Sequence, residues 1–313
     1  IKVLEMVRVL ASSAAYILTD HLHSSEGVSC YHLFKNMGKL GYSFDAISAC
    51  VRVKKPLENV TFHQVGSFEI LPSSNLLKKY AGHAEYIARS YRESKKILRG
   101  ESVDIVHHMF PAVYNQSFSL LAFSGETRKR PFIFGPVSAH LYPRPPDESI
   151  LMGVTSRLHR ETIRRCDRLI AITEQAKQLC SRIVEEEKIW VIPLGIDADF
   201  FKPSERTGRR DYSEILFVGF LYRLKGTECL LRAMALMAKE RGDLRLRIVG
   251  DGPEKNRLMK LAKALKIDGT VTFEGFIPHT KIARYYQQCD VFCFPTLGEP
   301  FGKAVLEAMA CGK

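Results

Sequence analysis

Two carboxylates, Glu299 and Glu307, are separated by seven residues in the string FPTLGEPFGKAVLEAMACG, which runs from Phe294 to Gly312. A carboxylate is a strong acceptor, and two of them at a helix start suit a ligand rich in hydroxyls. Ala304, Val305, Leu306, Ala308, Met309 and Ala310 are apolar residues or strong helix formers, and Pro300 with Gly302 is turn chemistry for the start of such a helix. A helix N-terminus presents unpaired N–H groups and a positive dipole end, which favour a phosphate or a sugar hydroxyl. A turn glutamate and a second glutamate on an ordinary surface helix is the plain alternative for this spacing alone.

A strand, a tight turn and a helix must hold these residues. The apolar run Asp290 to Phe294 reads as a buried strand leading into the turn. The same alternation runs through the whole chain. Strands are expected at Val7 to Ser12, Phe44 to Val51, Val60 to Val65, Val103 to His107, Pro131 to Pro136, Arg168 to Ile172 and Ile189 to Pro193. Helices are expected at Val28 to Leu40, Leu76 to Arg99, Ile150 to Cys166 and Glu174 to Glu186. After a polar stretch at 203–212 the pattern restarts, with strands at Ile215 to Gly219, Leu244 to Gly250 and Val271 to Glu274. Helices at Thr227 to Glu240, Glu254 to Leu265 and Lys281 to Gln288 lie between them. Such alternation predicts parallel sheets covered on both faces, with ligands bound outside the carboxyl ends of the strands. A chain of 313 residues has room for two such lobes: 1–202, a linker at 203–212, and 213–313.

Lys and Arg outnumber Asp and Glu by 46 to 34, giving a net charge of +12. The densest basic stretch is Leu76 to Arg99, where Lys78, Lys79, Arg89, Arg92, Lys95, Lys96 and Arg99 face only Glu85 and Glu93. Leu77, Ala81, Ala84, Ile87, Ala88 and Tyr91 give it an apolar stripe, so it reads as an amphipathic helix. Its basic side is either a solvated face or a docking surface for an anionic membrane. Nucleic acid is the weakest reading, because no helix-turn-helix, finger or RNA-recognition signature accompanies the charge. No run of 18 apolar residues occurs, and Ile1 to Ser13, broken by Glu5 and Arg8, lacks the form of a signal peptide. The eight cysteines lack metal-ligand spacing; a reducing cytosol without disulfides or zinc is expected, with Cys289 and Cys293 as small buried groups.

The string E-P-F-G-x4-E-A-M-A-x-G closely resembles the donor-site signature of retaining glycosyltransferases of family 4, which have the GT-B fold of two Rossmann-like lobes. Further pieces follow in the family's order. His23-Ser-Ser-Glu-Gly27 resembles the glycine-rich turn after the first strand, with Glu26 at the second glycine of the usual pair. Turn chemistry alone also explains Gly27. Asp104-Ile-Val-His107-His-Met109 is similar to D-x-V-H-x-H, with Met109 at the second histidine, and His107 fits a structural role as well as a ligand role. Phe134-Gly-Pro-Val-Ser-Ala-His140 occupies the place where some members carry a histidine on the donor sugar; a surface loop histidine is the alternative for His140. Gly219-Phe-Leu-Tyr-Arg223-Leu-Lys225-Gly226 resembles G-R-L-x3-K-G, whose Arg and Lys bind the donor diphosphate. Lys225 matches the Lys, Phe220 stands at the Arg position, and Arg223 is a substitute by proximity. Asp197-Ala-Asp199 has the D-x-D form that holds Mn2+ in another glycosyltransferase fold, but it sits in G-I-D-x-D-F-F at the linker entry, where the metal reading is rejected.

The resemblance implies a retaining, metal-independent, hexosyltransferase-like enzyme of polysaccharide biosynthesis, with no cofactor beyond a nucleotide-diphosphate sugar as donor substrate. The acceptor is a glycan or a lipid-linked molecule, and the location cytoplasmic or peripheral at the inner face of the membrane. Glu299, His140 and Lys225 are its candidate catalytic residues. Gly27, Arg223, Lys225, Ile277, Phe301, Gly302, Lys303 and Glu307 are its candidate donor-binding residues, with Glu307 on the ribose and the backbone near Ile277 by the nucleobase. A phosphorylase-like enzyme and an impaired nucleotide-sugar-binding protein or fragment are the alternatives. Family members continue past the signature helix, so ending at Lys313 predicts an incomplete second sheet with Met309 and its neighbours partly uncovered.

Overall fold

The computed structural model describes residues 6–21, 25–66, 76–110, 117–139, 149–204 and 211–313. Two compact units, Ile1–Gly195 and Ile196–Lys313, each carry one parallel sheet.

The first unit contains β1 (Val7–Thr19), α1 (Ser25–Gly38), β2 (Tyr42–Arg52), β3 (Val60–Gln64), α2 (Leu76–Gly100) and β4 (Ile105–His108). It continues with β5 (Phe132–Val137), α3 (Ser149–Arg165), β6 (Arg168–Ala171), α4 (Glu174–Cys180) and β7 (Ile189–Val191). Its seven strands are ordered β3-β2-β1-β4-β5-β6-β7. Helices cover both faces, so the strands are apolar almost continuously: Leu10, Ile47, Val106, Phe132, Phe134 and Leu169 are fully buried. β1 runs well past the expected end at Ser12, because its small residues Ser12, Ser13, Ala14 and Ala15 are buried and a register shift against β2 carries the strand on. α4 stops at Cys180 rather than Glu186. Thr173 caps it by accepting from the Ala176 N–H at 3.2 Å, and Ser181 closes its end.

Several buried polar groups of this unit are paired, although the Ser48 and Ser94 hydroxyls have no hydrogen-bond partner among the described residues. Asp45, 1% exposed on β2, accepts from Arg8 Nε at 2.8 Å and His63 Nε2 at 3.0 Å, and these bonds outweigh burial to hold its carboxyl below the usual range. His107 is a structural residue here: its Nε2–H donates to the Gly135 carbonyl at 2.9 Å. His159 donates from Nδ1 to the Ser117 carbonyl at 2.5 Å. Burial lowers His107 to about 4, His108 to about 3 and His159 to about 4. These rings stay neutral in the fold while the unfolded chain takes up protons below about 6.5. Stability therefore rises with pH between about 4 and 6.5, and is lost as pH falls through that window. Thermal melts across that range should show the first unit losing stability steadily toward acid, and a melt flat between pH 7 and 4.5 would contradict the neutral, buried placement.

The second unit contains β8 (Ser213–Val218), α5 (Thr227–Met237), β9 (Leu244–Val249), α6 (Lys255–Ala264), β10 (Val271–Gly275), α7 (His279–Gln288), β11 (Val291–Phe292) and α8 (Lys303–Ala310). The sheet order is β10-β9-β8-β11. One face packs Phe217, Leu231, Met234, Leu246 and Ile248; the other packs Phe201, Leu216, Val249, Tyr286 and Ala308. Phe201, 1% exposed, ties the segment from Ile196 into this unit's core. The stretch Asp290 to Phe294 is not the buried strand expected. It pairs for two residues, with β8 alone, and Val291 at the sheet edge is 54% exposed. Met309 on α8 is 63% exposed.

Candidate functional site

In the second unit the carboxyl ends of the parallel strands feed loops that approach one another through glycine. β8 leads through Gly219 to a 3-10 turn at Arg223–Lys225, and Gly226, at φ 70°, starts α5. β9 leads to Gly250 at φ 137°. β10 leads to Phe276 and Ile277, and β11 leads through 293–301 to Gly302, the N-cap of α8. A Cβ on Gly226 would lie 1.8 Å from the Pro295 carbonyl oxygen, and one on Gly250 would lie 1.9 Å from that of Gly219. Only glycine permits such approach in that backbone region. The loop before α8 is fixed to the 3-10 turn by the Leu297 N–H, which donates to the Leu224 carbonyl at 2.8 Å, and by the Thr296 hydroxyl, which donates to the same oxygen at 3.2 Å.

This zipper brings Lys225 to Glu299. Lys225 Nζ and Glu299 Oε2 are in direct hydrogen-bonded contact, with side chains 16% and 21% exposed, and Nζ lies 5.4 Å from the centre of the Phe294 ring. Gly302 offers no side-chain cap to α8, and its carbonyl accepts from the Val305 N–H at 2.9 Å. Phe301 is half-buried, Gly302 buried and Lys303 the first residue of α8. Arg223 is exposed, while Phe220 packs against Tyr222 with ring centres 4.4 Å apart.

Glu307 is largely buried beside α7. It is 7% exposed; the Tyr286 hydroxyl donates to its Oε2 at 2.8 Å, and His279 Nε2 lies 3.7 Å from Oε1. Burial, then the Glu307 charge, pushes the Tyr286 phenol well above its usual value, so it remains a donor. His279 in turn stacks on Phe200 at 5.7 Å. Sequence reasoning found neither Tyr286 nor His279. Both lie on α7, about 20 or more positions before Glu307, and a tyrosine and a histidine on an amphipathic helix carry no signal beyond core packing. Phe294 under Lys225 was likewise read only as part of a strand.

In the first unit, Gly27 does not precede the first helix. It is buried within the first turn of α1, which begins at Ser25. Glu26 beside it is pushed up to about 7 by burial. His140 lies outside the described residues. Asp197 Oδ1 accepts from the N–H groups of Asp199 at 3.0 Å and Phe200 at 3.2 Å, so the D-x-D string builds a turn.

Comparison with known proteins bears on the family and the fold. Residues 27–200 match the family model described as Glycosyltransferase Family 4, and residues 199–313 match that of Glycosyl transferases group 1. The chain belongs to glycosyltransferase family 4. Among the curated family relatives, the D-inositol 3-phosphate glycosyltransferase of Pseudarthrobacter chlorophenolicus is 36% identical over 158 residues, covering 46% of this chain and 38% of that protein. An uncharacterized glycosyltransferase of Haemophilus influenzae is 34% identical over 148 residues, covering 47% of this chain and 40% of its own length. The matched part thus spans about two fifths of those relatives. Among solved structures, sucrose-phosphate synthase from Thermosynechococcus elongatus superposes with a TM-score of 0.70 at 19% identity, over 99% of this chain and 80% of that one. Anabaena Alr3699/HepE, solved in complex with UDP-glucose, gives 0.58 at 16% identity, over 98% and 79%. At such identities the likeness concerns the fold, which for this family 4 chain is GT-B: two Rossmann-like lobes, the second with four strands.

Proposed function

We propose that this family 4 chain transfers a hexosyl group from a nucleotide-diphosphate sugar to a glycan or lipid-linked acceptor, with retention at the anomeric carbon and without a metal. The observation that carries the reading is the meeting of Lys225 and Glu299 beside the N-terminus of α8, at the carboxyl ends of the strands. Lys225 neutralises charge developing on the diphosphate leaving group, where preorganised donors contribute most to rate. Glu299 accepts from hydroxyls of the donor sugar, and the N–H groups of Phe301, Gly302 and Lys303 add donors at the helix start. Glu307 accepts from the ribose through a lone pair that Tyr286 does not use, and the backbone at Ile277 borders the base. Solved neighbours in complex with UDP and UDP-glucose support a nucleotide sugar as donor. The test is release of nucleoside diphosphate from UDP-, GDP- and ADP-sugars in the presence of a glycan acceptor, with and without EDTA. Turnover of one donor, unchanged by EDTA, supports the reading, and no turnover of any donor opposes it.

A second reading is favoured by Phe220. Its packing on Tyr222 puts an aromatic ring where the family motif has an arginine, which fits an impaired nucleotide-sugar-binding protein. Such a protein binds nucleotide with no turnover, whereas the enzyme shows both.

We also propose peripheral contact of α2 with an anionic membrane from the cytoplasmic side. Lys96 is 79% and Arg89 50% exposed on that helix, and each basic side chain near such a surface contributes about 1 kcal/mol. The side chains of Lys78 and Lys79 lie outside the described residues. No helix among the described residues is long and apolar enough to cross a membrane. Flotation with vesicles containing phosphatidylserine, lost in 0.5 M salt (a concentration that screens charge beyond about 5 Å), is the expected result; equal flotation with neutral vesicles would remove the electrostatic contact.

A further inference from the structure

We propose that the Glu299 carboxylate is an internal competitor for the diphosphate at Lys225, so that donor binding exchanges one anion for another at a single ammonium group. The inference rests on the reading of Lys225 as the diphosphate ligand. Lysine carries a compact point charge with three donors and no fixed fork, so partners compete for one centre. Here that centre is in direct contact with Glu299, both side chains are mostly buried, and the Phe294 ring lies 5.4 Å from the ammonium.

The Leu297 N–H on the Leu224 carbonyl and the seat of Gly226 against Pro295 fix the backbone on both sides of the pair. Among the described residues Lys225 has no other carboxylate partner and Glu299 no other cation. A diphosphate entering at Lys225 must take donors from a partner already in place and tolerate that partner's negative charge nearby, and both terms weaken binding of a bare diphosphate. Once the lysine has turned to the phosphate, the released carboxylate has free lone pairs for the hydroxyls of a sugar. A full donor supplies those hydroxyls and a bare diphosphate does not. The exchange thus favours the intact donor over the product nucleotide.

Glu299→Gln tests this with opposite signs on two readouts. The amide removes the competing charge while keeping shape, so inorganic pyrophosphate and the preferred nucleoside diphosphate should bind about tenfold more tightly, the equivalent of one charge-assisted bond. Transfer from the sugar nucleotide should fall in the same variant. Glu299→Asp retains the charge and should bind pyrophosphate no more tightly than the parent, which separates charge from packing. In a Lys225→Ala background, Glu299→Gln should give less than its tenfold gain, because there is no ammonium left to free. Far-UV circular dichroism and melting establish that each variant is folded before titration. If the parent binds a nucleoside diphosphate and Glu299→Gln binds it equally or more weakly, the competition is overturned while the diphosphate role of Lys225 stands. If neither parent nor Glu299→Gln binds any diphosphate or pyrophosphate, the diphosphate role itself fails and the competition falls with it.

Discussion

Lys225→Ala is expected to lower transfer by about 10²-fold or more, the loss seen when one preorganised donor to a developing negative charge is removed. The expectation follows from position: Nζ sits at the end of a 3-10 turn that a backbone zipper holds against the loop before α8, and its one ion-pair partner among the described residues is Glu299. Removal leaves Glu299 without its cation. Because both side chains retain some exposure, the orphaned carboxylate rehydrates, and the cost in stability stays near that of a part-exposed ion pair, about 1 kcal/mol. Turnover should therefore fall far more than the melting temperature. Steady-state kinetics beside a melt separate the two, and a variant whose turnover and stability decline in parallel would mark Lys225 as a structural residue.

Gly226→Ala should damage the same site through the backbone. Its left-handed φ of 70° costs an L-residue about 1–2 kcal/mol. The added methyl, 1.8 Å from the Pro295 carbonyl, adds overpacking of about 1–3 kcal/mol by pushing the α8 loop from the 3-10 turn. A total near 3 kcal/mol should appear in denaturant unfolding of the second unit, with loss of transfer even where the fold survives, because Lys225 and Glu299 no longer meet. Gly242→Ala, where a Cβ meets no atom within 4 Å, is the matched control. Equal stability of the two variants would show that the loops do not approach as closely as Gly226 requires.

The two-lobe architecture was legible from alternating apolar runs, because strands covered on both faces cannot hide their composition; Leu10, Phe132 and Leu246 lie in such runs and are buried as expected. What periodicity missed lies at ends and edges. β11 has the apolar composition of an interior strand but a neighbour on one side only, and pairing partners leave no local mark in sequence. α4 ends at Cys180 because Ser181 and the turn after it intervene, although the apolar pattern continues. Gly27 reads as a turn residue by type, yet the helix starts earlier and encloses it.

At the site, Glu299, Lys225 and Glu307 each stood out from the motif that contains them. Their relations did not. Lys225 and Glu299 are 74 positions apart, and only the folded loops join them. Glu307 stood out as a ribose ligand, but the bond it accepts from Tyr286 depends on the packing of α7 on α8 and left no mark in the motif. Phe220 illustrates the reverse case: its departure from the motif was visible in sequence, but its packing on Tyr222 was not.

The most direct measurement is a calorimetric titration of this chain with UDP, GDP and ADP, each with and without EDTA. Binding of one nucleotide, unaffected by EDTA and lost in Lys225→Ala, is the predicted result. Binding of none, or binding abolished by EDTA, would contradict a metal-independent diphosphate site built on Lys225.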